Sequence, residues 1–347
     1  MLPMVSVVVP AKNEEKVIEK CIKSLINLSY PKNRLEIVVA TDGNTDRTLK
    51  ICKKYEPKIK VIETKPTRCK AEALNAVIPK LKGEIIAIFD ADCVVDKNCV
   101  ANAVKRFSDK EVMGVMGFLR PYNKQQNIIT KMIFSETILV FFQESIINKL
   151  GLNPNFLGKN MFFRREVFKK IGKFDEYSYS EDIEFSIEMR KYKYKVVLEK
   201  SAITYDEYPT SISDILKQRL RFFRGMLRVK RKMSYKSKKD IFQDLAHGFF
   251  IYTSSLSSIM LFTLLFSLVI KMPTIIVNLG AFILLLQFLL FLISTIFLKE
   301  PLKNLLFTPL YLIFSILNFY SLFNAWYKEK TGASIKWYKV NRAAIKQ

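Results

Sequence analysis

The sequence predicts an α/β domain with a parallel, nucleotide-binding sheet, followed by membrane-spanning helices. Three observations carry that reading. Strand-length apolar runs alternate with amphipathic helical spacing from the first residues onward. One such run, Ile85-Ile86-Ala87-Ile88-Phe89, ends abruptly in Asp90-Ala91-Asp92. Further on, residues 248–270, 274–298 and 304–327 contain no charged side chain.

Val5-Ser6-Val7-Val8-Val9-Pro10 is a β-branched run closed by proline, and so a strand with a sharp exit. Asn13-Glu14-Glu15 offers a cap and an acidic first turn to a helix that carries Val17, Ile18, Cys21, Ile22, Leu25 and Ile26 on one face. Residues 35–40 form the next strand, which runs into Thr41-Asp42-Gly43-Asn44-Thr45-Asp46, a turn that caps a helix beginning near Arg47. A short strand at residues 60–63 and a helix over 69–80 lead to the run before Asp90. Carboxylates at the carboxyl end of a buried strand sit where open α/β sheets bind ligands. Two of them one residue apart can share a hard divalent cation such as Mg²⁺ or Mn²⁺, although Asp is also common in solvated turns.

Composition narrows the partners. There are 56 basic and 32 acidic side chains among 347 residues, a formal net charge of +24. Such a surplus favours phosphorylated ligands, nucleic acid or an anionic membrane face. The five cysteines form no Cys-x-x-Cys pair and are odd in number, which reads as reduced thiols in a cytoplasmic domain. The single histidine, His247, borders an apolar run, so histidine-based catalysis is not expected. The opening apolar run is too short and interrupted for a cleavable leader.

The order Val-Val-Val-Pro-Ala-Lys-Asn-Glu-Glu, Thr-Asp-Gly-Asn-Thr-Asp, Lys70-Ala71-Glu72-Ala73-Leu74-Asn75 and Asp90-Ala91-Asp92 resembles family 2 glycosyltransferases. The resemblance covers about the first two thirds of the chain. It implies a GT-A fold, Rossmann-like, that binds a nucleotide-diphosphate sugar. It also implies that Pro10, Lys12, Glu14 and Asp42 line the nucleoside pocket with Lys70 close by, and that Asp90 and Asp92 hold the nucleotide and the metal. Thr41 stands where many relatives carry a second acid, which leaves uridine against guanosine open.

Residues 112–118 read as a strand, and 128–150 as an amphipathic helix with Ile129, Met132, Ile133, Val140 and Ile147 on one face. Core packing and contact with a membrane surface both fit that face. Gly158-Lys159-Asn160-Met161-Phe162-Phe163-Arg164-Arg165 and Ser180-Glu181-Asp182-Ile183-Glu184 resemble the acceptor half of the same family. By that resemblance Asp182, with Glu181 beside it, is the general base, and Gly158 and Asn160 lie at the acceptor. An attacking hydroxyl must lose a proton, and a placed carboxylate can take it. The same carboxylates also suit the first turn of a helix, whose N-terminus would help to keep Asp182 ionised. Gln218-Arg219-Leu220-Arg221-Phe222 resembles the Gln-x-x-Arg-Trp motif of membrane-bound polysaccharide synthases, with phenylalanine for tryptophan. Gln218, Arg219 and Arg221 are then expected on the leaving diphosphate, and Phe222 against sugar or acceptor.

Residues 217–239 hold eleven basic and no acidic side chains, interleaved with apolar ones, a pattern for a membrane surface rather than nucleic acid beside so apolar a neighbour. Each uncharged run exceeds the roughly 20 residues that cross a bilayer. Trp326, Tyr327, Trp337 and Tyr338 suit an interfacial belt. The expected organisation is a GT-A domain over 1–240 (donor half 1–92, acceptor half 93–240), transmembrane helices over 241–328 and a basic tail over 329–347. It describes a multi-pass enzyme of the cell membrane with its catalytic part cytoplasmic. Three full crossings would put the basic tail outside, against the positive-inside rule, so one run reads as re-entrant or interfacial, with Pro309 marking the third. The expected activity is inverting transfer to a lipid-linked or glycan acceptor. A processive polysaccharide synthase and a non-catalytic membrane-tethered nucleotide-binding protein are the alternatives, with a nucleotidyltransferase more remote.

Overall fold

The computed structural model describes residues 2–233, 238–267, 269–270 and 273–333, which fall into two units. The first lies within Met1–Tyr122 and Gly151–Glu207. Its β-branched runs become β1 (Val5–Ala11), β2 (Leu35–Asp42), β3 (Lys60–Thr64) and β4 (Ile85–Ile88), with α1 (Ile18–Ile26), α2 (Thr48–Lys53) and α3 (Lys70–Val77) between them. These four strands run parallel, as the strand–helix alternation predicts. The predicted helix over 69–80 stops early: after Val77 the chain tightens into a 3₁₀ turn at Ile78–Lys80, because Pro79 offers no N–H.

The second half of the sheet mixes parallel and antiparallel pairs. It contains β5 (Val94–Val95), β6 (Val112–Pro121), β7 (Met161–Arg164) and β8 (Lys195–Asp206), with α4 (Cys99–Arg106), α6 (Arg165–Ile171) and α7 (Glu181–Lys191); α5 lies elsewhere. The eight-stranded order is β3-β2-β1-β4-β7-β6-β8-β5. β7 is antiparallel to both β4 and β6, so the expectation of an all-parallel sheet holds for one half only. Strand β8 was not foreseen, since Glu199-Lys200-Ser201 break its pattern and lie half-buried or exposed. The core between the sheet and its helices includes Val7, Val9, Ile22, Leu25, Ala87, Phe89 and Phe162, all fully buried.

The second unit comprises α5 (Ile128–Lys149) and the described part of Tyr208–Asn341. The expected boundary near 240 therefore differs from the observed grouping: α5 and α8 (Ile212–Lys232) go with α9 (Lys238–Ser267), α10 (Thr274–Phe297) and α11 (Thr308–Lys330). Helix α5 opens on a reciprocal cap between Asn127 and Thr130. It buries more than one face, for Met132 and Ile133 pack with Ile215 and Phe314 while Ile138 and Leu139 pack with Phe291 and Tyr311. Pro309 does not break a helix. It sits in the first turn of α11, where a missing N–H costs nothing, after a 3₁₀ segment at Leu302–Phe307. Among the described residues, α10 is the one helix long and apolar enough to cross a membrane, and only 17% of its most apolar window is buried. Trp337, Tyr338 and the rest of the basic tail beyond residue 333 lie outside the described residues.

Candidate functional site

The expected site residues of the first unit gather at the carboxyl ends of β1, β2 and β4. Strand β1 delivers half-buried Pro10 and then Lys12, whose Nζ lies 3.2 Å from Asp42 Oδ2 and donates to the Thr67 carbonyl at 2.7 Å. Asp42, the last residue of β2, also accepts from Thr67 N–H and Thr67 Oγ1, each at 2.5 Å. The loops are cross-tied: Asn13 N–H donates to Asn44 Oδ1 at 2.6 Å and Glu14 N–H to Thr48 Oγ1 at 2.7 Å. Thr67, absent from the sequence reading, organises this corner. A lone threonine after Pro66 gives no pattern to find it by.

At the end of β4 the geometry is denser. Lys70 Nζ lies 2.7 Å from Asp90 Oδ1 and 3.3 Å from Glu181 Oε1, and donates to the Gly158 carbonyl at 2.6 Å. Burial alone would lower its pKa, but Asp90 and Glu181 outweigh that and hold the ammonium above its ordinary range. Lys159 Nζ meets Asp206 Oδ2 at 2.6 Å, Asp92 Oδ2 at 3.2 Å and Asp90 Oδ2 at 3.8 Å. Burial likewise works against the Lys159 charge, and its carboxylate neighbours again win. For Asp206 burial dominates and pushes the carboxyl up, with Lys159 opposing. Neither Lys159 nor Asp206 was singled out from sequence. Asp206 ends a strand just as Asp90 follows one, a signal hidden by the broken pattern of β8.

Asp182 lies in the first turn of α7 with Glu181 before it. Its carboxyl is raised to about 7 by withdrawal from water and by Glu181, with Lys70 opposing. The backbone N–H groups of the helix N-terminus do favour the ionised form, as expected, but desolvation and a like charge outweigh them. A carboxylate titrating there suits proton abstraction near neutral pH. Gly158, at φ +70°, gives Asp182 its room: a Cβ would sit 2.8 Å from Asp182 Oδ2. Asn160 is placed otherwise than expected. It is fully buried and spends its amide N–H groups on the Phe118 and Ala202 carbonyls at 3.3 and 2.8 Å, so it braces strands instead of facing an acceptor.

Gln218, Arg219, Arg221 and Phe222 lie half-buried on α8, in the second unit. Arg219 is ion-paired to Glu136, which also accepts from Asn318 Nδ2 at 2.8 Å. Phe222 packs edge-on against Phe223 at 5.4 Å.

The acidic cluster fits a hard cation. Oxygens of Asp90, Asp92 and Asp206 converge on one point, the position of the Lys159 ammonium. Ligand atoms of Asp92, Cys93 and Asp206 lie within 4.8 Å of one another. Burial raises the Cys93 thiol, which leaves the carboxylates as the usable donors, and carboxylate oxygens select Mg²⁺ or Mn²⁺.

Residues 6–172 match the family model described as Glycosyl transferase family 2. The chain is 33% identical over 266 residues to a probable glycosyltransferase, YdaM, of Bacillus subtilis, covering 72% of this chain and 63% of that protein. It is 31% identical over 230 residues to a beta-monoglucosyldiacylglycerol synthase of Nostoc, covering 65% of this chain and 49% of that one. The chain thus spans about half to two thirds of the length of these relatives. The mannosyltransferase PcManGT of Pyrobaculum calidifontis, solved with GDP-Man and Mn²⁺, superposes with a TM-score of 0.66 at 20% identity over 96% of this chain and 89% of its own, a likeness of fold.

Proposed function

The chain belongs to glycosyltransferase family 2, and on that premise we propose that it transfers a sugar, with inversion, from a nucleotide-diphosphate donor to a lipid-linked or glycan acceptor at the cytoplasmic face of a membrane. One observation carries the reading: Lys70 bridges Asp90 and Glu181, joining the expected donor carboxylates to the expected base pair.

Asp182 orients the acceptor hydroxyl and takes its proton as the oxygen attacks the anomeric carbon. The new bond forms from the acceptor oxygen to that carbon. The bond to the donor's phosphate oxygen breaks, and the nucleoside diphosphate leaves with the electron pair. Attack from the face opposite the leaving group inverts the centre. A divalent cation at Asp90 and Asp92 would neutralise the departing diphosphate. Lys70 keeps Asp90 and Glu181 in register and offsets their charge. Gln218, Arg219 and Arg221 are the proposed diphosphate contacts of α8, and Phe222 and Gly158 the proposed acceptor contacts, on the resemblance of their motifs.

Membrane attachment rests on α10, on the basic stretch of α8 and on the polar ties that join the long helices. Ser258 Oγ lies 2.7 Å from Ser315 Oγ, and Ser257 Oγ 3.4 Å from Gln287 Oε1, contacts of the kind that join helices in lipid. A lipid acceptor accords with the Nostoc relative, named for a glucosyldiacylglycerol product.

The test is a donor screen on membranes that contain the protein. UDP- and GDP-sugars are supplied with Mg²⁺ or Mn²⁺, with and without polyprenyl phosphate or diacylglycerol, and release of nucleoside diphosphate is followed. Release that needs one donor, the metal and a lipid is expected. Release without lipid, with long products, would replace this reading by a polymerising synthase. No release by folded protein under any donor would sink both.

A further inference from the structure

The proposed donor site explains Asp90 and Asp92, but not why a lysine stands among them. Lys159 meets three carboxylates within 3.8 Å, and Asp92 and Asp206 hold it most closely, at 3.2 and 2.6 Å. These two residues also supply both carboxylates of the group with metal-like spacing, so the ammonium stands where their oxygens would otherwise share a cation. With the Asp92 side chain 1% exposed and that of Asp206 10%, two such charges left unpaired would repel strongly.

The backbone is built to put Lys159 there. It lies between Gly158 at φ +70° and Asn160 at φ +56°, two residues in the left-handed region. A non-glycine residue in that conformation costs energy and needs support. Asn160 receives it through bonds to two carbonyls, and Gly117 makes room, since a Cβ at 117 would fall 2.2 Å from Asn160 Oδ1. Gly117, Gly158 and Asn160 together fix a turn whose middle residue is aimed into the acidic cluster. Here Asn160 finds the role that the acceptor assignment did not give it.

We propose that Lys159 is a resident counter-ion of the Asp92–Asp206 pair, so that the cluster takes up a divalent cation well only together with a nucleoside diphosphate. The inference rests on the donor-site reading above. Lys159, with Lys70 at Asp90, offsets much of the charge of Asp90, Asp92 and Asp206, and its ammonium already stands where their oxygens converge, which disfavours Mg²⁺ or Mn²⁺ on the carboxylates alone. A diphosphate brings further anionic oxygens and tips the balance. Metal and donor then arrive as a unit, and an empty enzyme does not sequester the metal. Lys159 is a positioning residue in this account: it sets the charge and spacing of Asp92 and Asp206.

The test measures Mn²⁺ binding to the full chain in detergent, by the loss of the free-ion paramagnetic resonance signal, with no nucleotide, with UDP and with GDP. The unsubstituted protein should bind Mn²⁺ weakly alone and roughly tenfold or more tightly with the diphosphate it recognises. Lys159→Met should bind Mn²⁺ alone roughly tenfold or more tightly than the unsubstituted protein, with little further gain from nucleotide. Lys159→Arg, which keeps the charge, should behave as the parent. If Lys159→Met does not fold, Lys159→Gln reads the same loss of charge. Equal Mn²⁺ affinity with and without the lysine, while a nucleoside diphosphate still binds, would overturn this inference and leave the donor site standing. Failure of UDP and GDP to bind in any variant, with or without Mn²⁺, would bring down both.

Discussion

At the residue scale the informative group is Asp182. Its folded carboxyl titrates at about 7 against an ordinary 3.8, so the folded chain binds more protons than the unfolded one between those values. The sign follows. Ionised Asp182 costs the fold stability that is progressively lost as pH rises from about 4 to about 7, and the proposed mechanism needs that same ionised form. Turnover should therefore climb through a pH near 7 and then level off. Asp182→Asn should lower kcat by about 10²–10⁴-fold while raising the melting temperature at pH 8 relative to the parent. A variant both inactive and less stable would show that Asp182 is structural. The residues of this site divide by how they announce themselves. Asp90, Asp92, Glu181 and Asp182 stand in short ordered motifs, and sequence reading finds them. Lys159, Asp206 and Thr67 acquire meaning only when strands distant in sequence bring them to one edge. Asn160 misled because its motif points to a site while its side chain, buried from the first, holds the turn beside it.

At the scale of elements, β1, β2 and β4 were legible because parallel strands buried on both faces read as continuous apolar runs. Strands β5, β7 and β8 are antiparallel to a neighbour, short or interrupted, and their weaker pattern hides them, whereas β6 reads as a strand. The basic stretch of α8 was read as one membrane-facing surface, yet the structure spends part of it inward. Arg224, 2% exposed, donates Nε–H to Glu329 Oε1 and an N–H to the Ala333 carbonyl, each at 2.6 Å, and Arg228 donates to Glu329 Oε2 at 2.8 Å. One buried carboxylate from α11 thus fastens two arginines of α8. Removing Arg224 would still leave Glu329 paired with Arg228, whereas removing Glu329 strands the buried Arg224 charge, which costs about 3–5 kcal/mol. Glu329→Gln should therefore lower the thermal unfolding midpoint in detergent markedly, whereas Glu329→Gln with Arg224→Leu should recover much of the loss. A single variant as stable as the parent would mean that α8 and α11 are held by their apolar contacts alone.

At the scale of the whole molecule, the sequence marks the long helices plainly, but not which of them crosses a bilayer or where the catalytic unit ends. Composition records apolar runs, whereas grouping depends on contacts: α5 lies far from α10 and α11 in sequence and shares a cluster with them through Phe134, Ile138, Phe291 and Tyr311. Helix α10 poses the physical problem most sharply. Ile275, Phe282, Leu285, Ile293 and Ile296 are each more than half exposed along its length. Left in water, such a face would forgo about 25 cal/mol for every Å² of apolar surface, and a contiguous patch of this kind marks a membrane or protein interface. A bilayer removes that cost over the whole helix at once, and the +24 charge favours an anionic leaflet beside it. The chain should then stay with membranes through both high-salt and alkaline carbonate washes. If α10 crosses, single reporters Thr274→Cys and Lys303→Cys, placed near its two ends, should react with a membrane-impermeant maleimide from opposite sides of sealed vesicles. The native cysteines give little background, since all but Cys69 are buried. Labelling of both reporters from one side would instead lay α10 in the interface, leaving the catalytic unit bound to the membrane surface without a span through α10.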